Sequence, residues 1–260
     1  MRISESFDNA MTEKGRQTSN RKKIVSIVGV IVQWSLVGVV AFVASTYLAS
    51  ALVWVVRSVG VAWSMETTIG ATVYRVMTYI ILTVILGGAI YYRNRDQFVL
   101  TSGVVKLLTW KDIGLSLAGT IIYMLSATIA IFVASKIPGF SLEQSQDIGI
   151  AQVYGLDRLV VFVVFVVLTP LFEELIFRGF LYGKLRIRAV PWWLSAVVVS
   201  ALFGLAHMQW NVAIDVFCLS MVACALREVT GSIWAGTLLH IIKNMIAFII
   251  KFVIIQGLVR

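Results

Sequence analysis

The chain has 260 residues, of which 59% are hydrophobic and only 13% charged, with a formal net charge of +9. Soluble domains carry about a quarter charged residues, so a soluble globular class is excluded, and a helical membrane bundle accounts for the whole length. The positive charge does not point to nucleic acid, because the basic residues sit at the ends of apolar runs, where membrane orientation is set.

Apolar runs of about 18 residues or more read as membrane spans. Residues 1–23, MRISESFDNAMTEKGRQTSNRKK, are polar and end in a basic cluster. They read as a loose cytoplasmic tail. The run Ile24 to Val56 is too long for a signal-peptide core and shows no clear cleavage site. It supplies a first span at 24–50. The segment 51–69 reads either as an overlong end of that helix or as a short interfacial piece. Further spans are expected at 70–92, 113–135, 157–186, 192–209, 212–226 and 231–255. The expected fold is an all-α polytopic transmembrane bundle of about seven spans, with eight as the alternative.

Charge then assigns sides. Basic groups follow the second span (Arg93, Arg95, Lys106, Lys111) and the fourth (Lys184, Arg186, Arg188), and they fill the tail (Arg2, Lys14, Arg16, Arg21, Lys22, Lys23). Seven spans place all three groups on one side, which the positive-inside rule makes cytoplasmic. The loop 136–156, with Lys136 against Glu143 and Asp147, falls outside. Lys251 and Arg260 then lie at the far end, a mild strain on this topology.

Within the fourth span, LTPLFEELIFRGFLY places Glu173, Glu174 and Arg178 in a segment otherwise suited to lipid. A charge at mid-membrane costs about 2.5–3.5 kcal/mol on insertion, so three such groups need a reason. Glu174 and Arg178 stand at i and i+4, share a helix face and can neutralise each other. Glu173 is rotated away and has no partner on its own helix. One reading is a buried ion-pair network that locks helices. The other is a desolvated carboxylate suited to act as a general base. Pro170 removes a backbone donor just before Glu173. Gly179 and Gly183 form a small-xxx-small pair that admits a close neighbour.

The chain's two histidines, His207 and His240, both lie in late apolar runs, with Phe203 at i−4 from the first and Asn244 at i+4 from the second. Counted from the basic helix ends at 1.5 Å per residue, Glu173, His207 and Asn244 all lie about 20 Å deep. Such convergence is what a site requires. Lys243 and Asp215 are further intramembrane charges without an assigned role. Cys218 and Cys224 have no metal or redox spacing and read as small core residues.

The motifs EELIFR (Glu173 to Arg178), FGLAH (Phe203 to His207) and HIIKN (His240 to Asn244) resemble the EExxxR, FxxxH and HxxxN motifs of the CAAX-protease and bacteriocin-processing (CPBP, or Abi) intramembrane proteases. That family includes the Ras-converting CAAX endopeptidase. The resemblance covers about residues 157–250. It implies a catalytic core over 151–260, preceded by N-terminal transmembrane helices over 24–150. By position, it implies that Glu173 and His207 activate water, that His240 and Asn244 stabilise the oxyanion, and that Glu174 and Arg178 hold the site. It implies an intramembrane endopeptidase of glutamate type, without a cofactor. A zinc alternative would use Glu173, His207 and His240 as ligands. The implied partners are a peptide or membrane-protein substrate and the lipid bilayer, and the implied location is a bacterial plasma membrane with the N-terminus cytoplasmic. The alternative is a non-catalytic bacteriocin-immunity or regulatory membrane protein of the same fold. A transporter or proton pathway is a third class, without the repeat symmetry that would support it.

Overall fold

A computed structural model describes residues 3–93, 95–104, 106–141 and 153–256, with side chains from Lys23 onward. The described residues form an all-α bundle. Its helices are α1 (Ile3–Ser58), α2 (Thr68–Arg93), α3 (Arg95–Ser102), α4 (Trp110–Ala134), α5 (Gly155–Ile187), α6 (Trp192–Leu205), α7 (Trp210–Thr230) and α8 (Trp234–Ile255). Five of them are long and apolar enough to cross a membrane: α1 from Lys23, α2, α4, α5 and α8. Large apolar side chains such as Leu36, Val84, Ile121 and Ile129 face outward. A bundle turned this way meets lipid, and the chain is an integral membrane protein.

The seven expected spans correspond in order to α1, α2, α4, α5, α6, α7 and α8. Three boundaries differ. The first helix runs on to Ser58, so 51–69 is mainly an overlong helix end, closed by Gly60 at φ +89° and by Arg57 Nε donating to the Trp63 carbonyl at 2.9 Å. The same helix begins at Ile3. The polar N-terminal segment is therefore helical rather than a loose tail, because it contains no proline or glycine pair to stop the helix. The fifth span ends at Leu205 and not at 209. Glu143, Asp147, Arg2 and Arg260 lie outside the described residues.

Local signals explain several helix ends. Thr109 and Asp112 form a reciprocal capping box at the start of α4. Gly231 closes α7 in the left-handed region at φ +70°, its N–H bonded to the Arg227 carbonyl at 3.0 Å. Between α6 and α7 the chain turns within four residues. A Cβ on Gly204 would stand 2.9 Å from the Ala213 carbonyl oxygen, so only glycine lets the hairpin close this tightly.

Helix α5 is the axis of the fold, and it is not a regular α-helix. Wider π-helical turns occupy Val163–Leu168 and Leu175–Leu181, on either side of the regular turn that carries the two glutamates. Pro170 accounts for the first. Its ring would clash with the preceding turn of a regular helix, and an i to i+5 pattern, seen in Thr169 N–H bonding to the Val164 carbonyl, opens that turn.

Apolar packing holds α5 from two sides. Leu86, Ile90, Phe180, Leu185 and Val199 join α2, α5 and α6. Val161, Val166, Phe248 and Phe252 join α5 to α8. A further core of Tyr123, Phe203, Leu219 and Leu239 ties α4, α6, α7 and α8. Gly179 and Gly183 admit a close neighbour, as their spacing suggests: added Cβ atoms would stand 2.7 Å from the Ser102 and 2.6 Å from the Thr101 carbonyl oxygen. The neighbour is the last turn of the short α3.

One end of the bundle is basic. Lys184, wholly buried, donates to Gln97 Oε1 at 2.5 Å and lies 5.1 Å from the Trp34 ring centroid. Arg227 Nη2 donates to the Leu100 carbonyl at 3.1 Å, capping α3. Trp234 Nε1 donates to the Lys106 carbonyl at 2.5 Å and Lys106 Nζ to the Thr230 carbonyl at 3.3 Å. The linker from α3 to α4 is thereby fixed to the α7–α8 turn.

Candidate active site

Glu173 and Glu174 lie side by side on the regular turn of α5 and are both buried. Glu174 and Arg178 are wholly buried, and Glu174 Oε1 stands 3.0 Å from Arg178 Nη1. This is the i, i+4 pair expected from the spacing. The N–H directions of Arg178 do not align as hydrogen bonds, so the contact is chiefly ionic. The guanidinium also lies 4.5 Å from the Phe203 ring centroid, where the ring face favours a cation.

His240 enters between the two carboxylates from α8. Its Nδ1 is 3.2 Å from Glu174 Oε1, and its Nε2 is 3.6 Å from Glu173 Oε2. Gly236, one turn earlier, permits this approach: a Cβ there would be 3.0 Å from Glu174 Oε2 and 3.3 Å from the Ala223 Cβ. Gly236 stands four residues before the last motif in the sequence, but only the fold shows what it faces.

Glu173 has no partner on its own helix, as expected. Its partners come from elsewhere. Besides His240, the Tyr79 hydroxyl of α2 donates to Glu173 Oε1. Nothing in the sequence singles out Tyr79, since a tyrosine in an apolar span carries no motif.

Asn244, one turn beyond His240, is buried, and its Nδ2 donates to the Phe165 carbonyl at 2.9 Å. That carbonyl lies in the π-helical turn of α5. In the i to i+5 pattern its donor would be residue 170, which is proline and has no N–H. The side chain of Asn244 takes the place of the missing backbone donor. The amide has a second N–H and an oxygen for further bonds.

His207 does not stand on a helix. It follows α6 in a tight turn, its N–H bonded to the Gly204 carbonyl at 3.1 Å. Helix α6 has 14 residues, so it rises about 21 Å, less than the ~30 Å hydrocarbon thickness. Helix α6 is therefore too short to cross the bilayer by itself. His207 Nδ1 lies 2.8 Å from the Phe203 carbonyl oxygen. That bond makes Nδ1 the protonated nitrogen of a neutral ring and leaves Nε2 as the basic one. Phe203 is the common support: its ring makes edge contacts with His207 at 4.9 Å, His240 at 5.9 Å and Phe177 at 4.8 Å.

The two unassigned charges meet each other. Lys243 Nζ is 3.5 Å from Asp215 Oδ2, and the Tyr123 hydroxyl donates to Asp215 Oδ1 at 2.6 Å. Lys243 thus faces α7 and leaves the HxxxN motif undisturbed.

Among the described residues no three of the His, Cys, Asp and Glu side chains gather closely enough to hold a metal ion. The nitrogens of His240 point to carboxylates and Nδ1 of His207 to a carbonyl.

A helical membrane bundle with paired carboxylates, two histidines and a buried asparagine belongs to the class of membrane proteins that carry an embedded polar site. Comparison with known families narrows this: residues 155–246 match the family described as Type II CAAX prenyl endopeptidase Rce1-like. The match runs from the start of α5 to just past Asn244. It agrees with the resemblance carried by the three motifs, and it supports a CAAX-protease kind of function in the membrane. No curated protein and no solved structure matched the chain.

Proposed function

We propose that the protein is an intramembrane endopeptidase that hydrolyses peptide bonds with water activated by Glu173 and His207. The observation that carries this reading is the meeting of Glu173 and His240 across 3.6 Å, with Asn244 one turn along and His207 against the same Phe203 ring as His240. Packing alone does not require carboxylates, histidines and an amide.

Peptide hydrolysis needs a base for water, donors for the developing oxyanion and an acid for the leaving amine. Glu173 takes a water proton as the hydroxide oxygen bonds to the carbonyl carbon. His207, with Nε2 basic, orients the same water. The carbonyl oxygen becomes an oxyanion and accepts hydrogen bonds from His240 and the Asn244 amide. Glu173 then returns the proton to the amide nitrogen as the C–N bond breaks. Glu174 and Arg178 fix the His240 ring from the far side. No metal enters this scheme.

In this reading residues 151–260 form the catalytic core and 24–150 the helices that enclose it. The basic end is cytoplasmic, and with it the N-terminus. The substrate is a peptide or a segment of a membrane protein that reaches the site through lipid or from one face.

The test is cleavage of a quenched peptide library by the purified protein in detergent, beside Glu173→Ala and His207→Ala, with and without a chelator. Cleavage lost in both variants and kept with chelator is the expected result, with a drop of at least about 100-fold for each variant. Loss with chelator, restored by zinc, would replace this mechanism with a metal-dependent one. Absence of cleavage by well-folded wild type would favour the non-catalytic immunity or regulatory protein.

A further inference from the structure

We infer that Tyr79 of α2, outside the segment that matches the family, is the positioning residue for Glu173. The inference rests on the protease reading above and adds a residue that none of the three motifs contains.

The argument begins with the carboxylate. Glu173 sits on a helix that offers it no neighbour of opposite charge, and its side chain has rotatable bonds to lose. A base that activates water must present one oxygen in a fixed direction. The Tyr79 hydroxyl holds Oε1, which leaves Oε2 on the side of His240 Nε2, 3.6 Å away. The two oxygens thus divide the work: one is anchored and the other faces the reacting water.

The anchor is itself fixed. The Tyr79 ring stacks on Phe172, parallel to within 3° and with centroids 6.0 Å apart. Phe172 precedes Glu173 in the chain, so the same α5 turn seats the ring and receives the hydroxyl. A tyrosine suits this place better than a cation. A lysine or arginine would neutralise Glu173 and weaken it as a base, whereas a neutral hydroxyl orients the carboxylate and leaves its charge. Helix α2 therefore contributes to the site, and is more than a wall around it.

The decisive variant is Tyr79→Phe, which keeps the stack and removes only the hydroxyl. Phe172→Leu is the control, removing the stack partner and keeping the hydroxyl. Three readouts are taken: steady-state cleavage, the melting temperature, and the infrared carboxylate band of Glu173 identified by difference against Glu173→Gln. The expected result for Tyr79→Phe is kcat lowered about 10- to 100-fold, as for loss of one hydrogen bond to a charged group, with KM within twofold. The Glu173 band shifts and the melting temperature is kept. Wild-type kcat in Tyr79→Phe, a rise in KM alone, or an unshifted band would overturn the inference. So would a loss of kcat that follows melting temperature equally in both variants. If wild type cleaves nothing, it is the protease reading that fails, and the infrared band alone then decides whether Tyr79 holds Glu173.

Discussion

Glu174 Oε1 lies 3.2 Å from His240 Nδ1 and completes a buried chain from Arg178 through Glu174 to the ring that faces Glu173. Helices α5 and α8 are thus joined by charge in the buried interior of the bundle. Breaking a buried pair by removing one partner costs about 3–5 kcal/mol, because the other charge is left uncompensated. Arg178→Met is therefore expected to destabilise the protein by that amount in denaturant unfolding in detergent. The double variant Arg178→Met with Glu174→Gln, which removes both charges, is expected to recover most of the loss. A double variant no better than the single one would show that Arg178 acts by packing on Phe203 and not by charge.

Pro170 makes the opposite kind of prediction. Replacing it with alanine restores a backbone N–H beside the Phe165 carbonyl, which Asn244 now occupies at 2.9 Å. Proline in a helix interior is disfavoured by about 3 kcal/mol relative to alanine. Pro170→Ala is expected to be at least as stable as wild type, yet less active, because Asn244 loses its anchor. Melting temperature and kcat measured on the same preparation check this: both falling together would mean that proline serves the fold alone.

The sequence disclosed those features that depend on local spacing. The pairing of Glu174 with Arg178 followed from i, i+4, and the isolation of Glu173 from its rotation about the helix. The meeting of His240 with Glu173 was foreshadowed by the similar depth of the two helix positions. What escaped was long-range. Tyr79 lies 94 residues before Glu173, in a span with no motif to align it. The π-helical turns of α5 were hidden because hydrophobic spacing scarcely distinguishes 3.6 from a wider turn over six or seven residues. His207 was placed on a helix because the apolar run continues to residue 207, whereas α6 ends where Gly204 meets α7. Lys243 and Asp215 each looked unassigned for the same reason: each is the other's partner, on a different helix.

That Lys243–Asp215 pair is expected to matter little for stability. Both side chains keep some exposure, and their atoms are 3.5 Å apart. Partly exposed ion pairs contribute about 0–1 kcal/mol. Lys243→Met is expected to stay within that range in unfolding experiments. Tyr123→Phe, which removes the 2.6 Å bond to Asp215, is expected to cost about 0.5–1.5 kcal/mol. A large loss from Lys243→Met would instead assign the lysine a structural place inside the last motif.

Gly183 offers the sharpest steric test. An added Cβ would stand 2.6 Å from the Thr101 carbonyl oxygen and 2.8 Å from its Cα. The obstacle is backbone, so no side chain can rotate away. Thr101 and Ser102 belong to the last turn of α3, whose Leu100 carbonyl is held by Arg227 and whose Gln97 receives Lys184. Pushing α3 outward would therefore strain both bonds at once. Gly183→Ala is expected to destabilise the protein by about 1–3 kcal/mol, the usual cost of overpacking, and Gly183→Val by more. Gly88, on the open side of α2 with nothing near its Cβ direction, is the control: Gly88→Ala is expected to be neutral or stabilising, since alanine is the better helix former by about 1 kcal/mol. Urea unfolding in detergent, read by tryptophan fluorescence, separates the two. Equal behaviour of Gly183→Ala and Gly88→Ala would mean that α3 does not pack against α5 at this point.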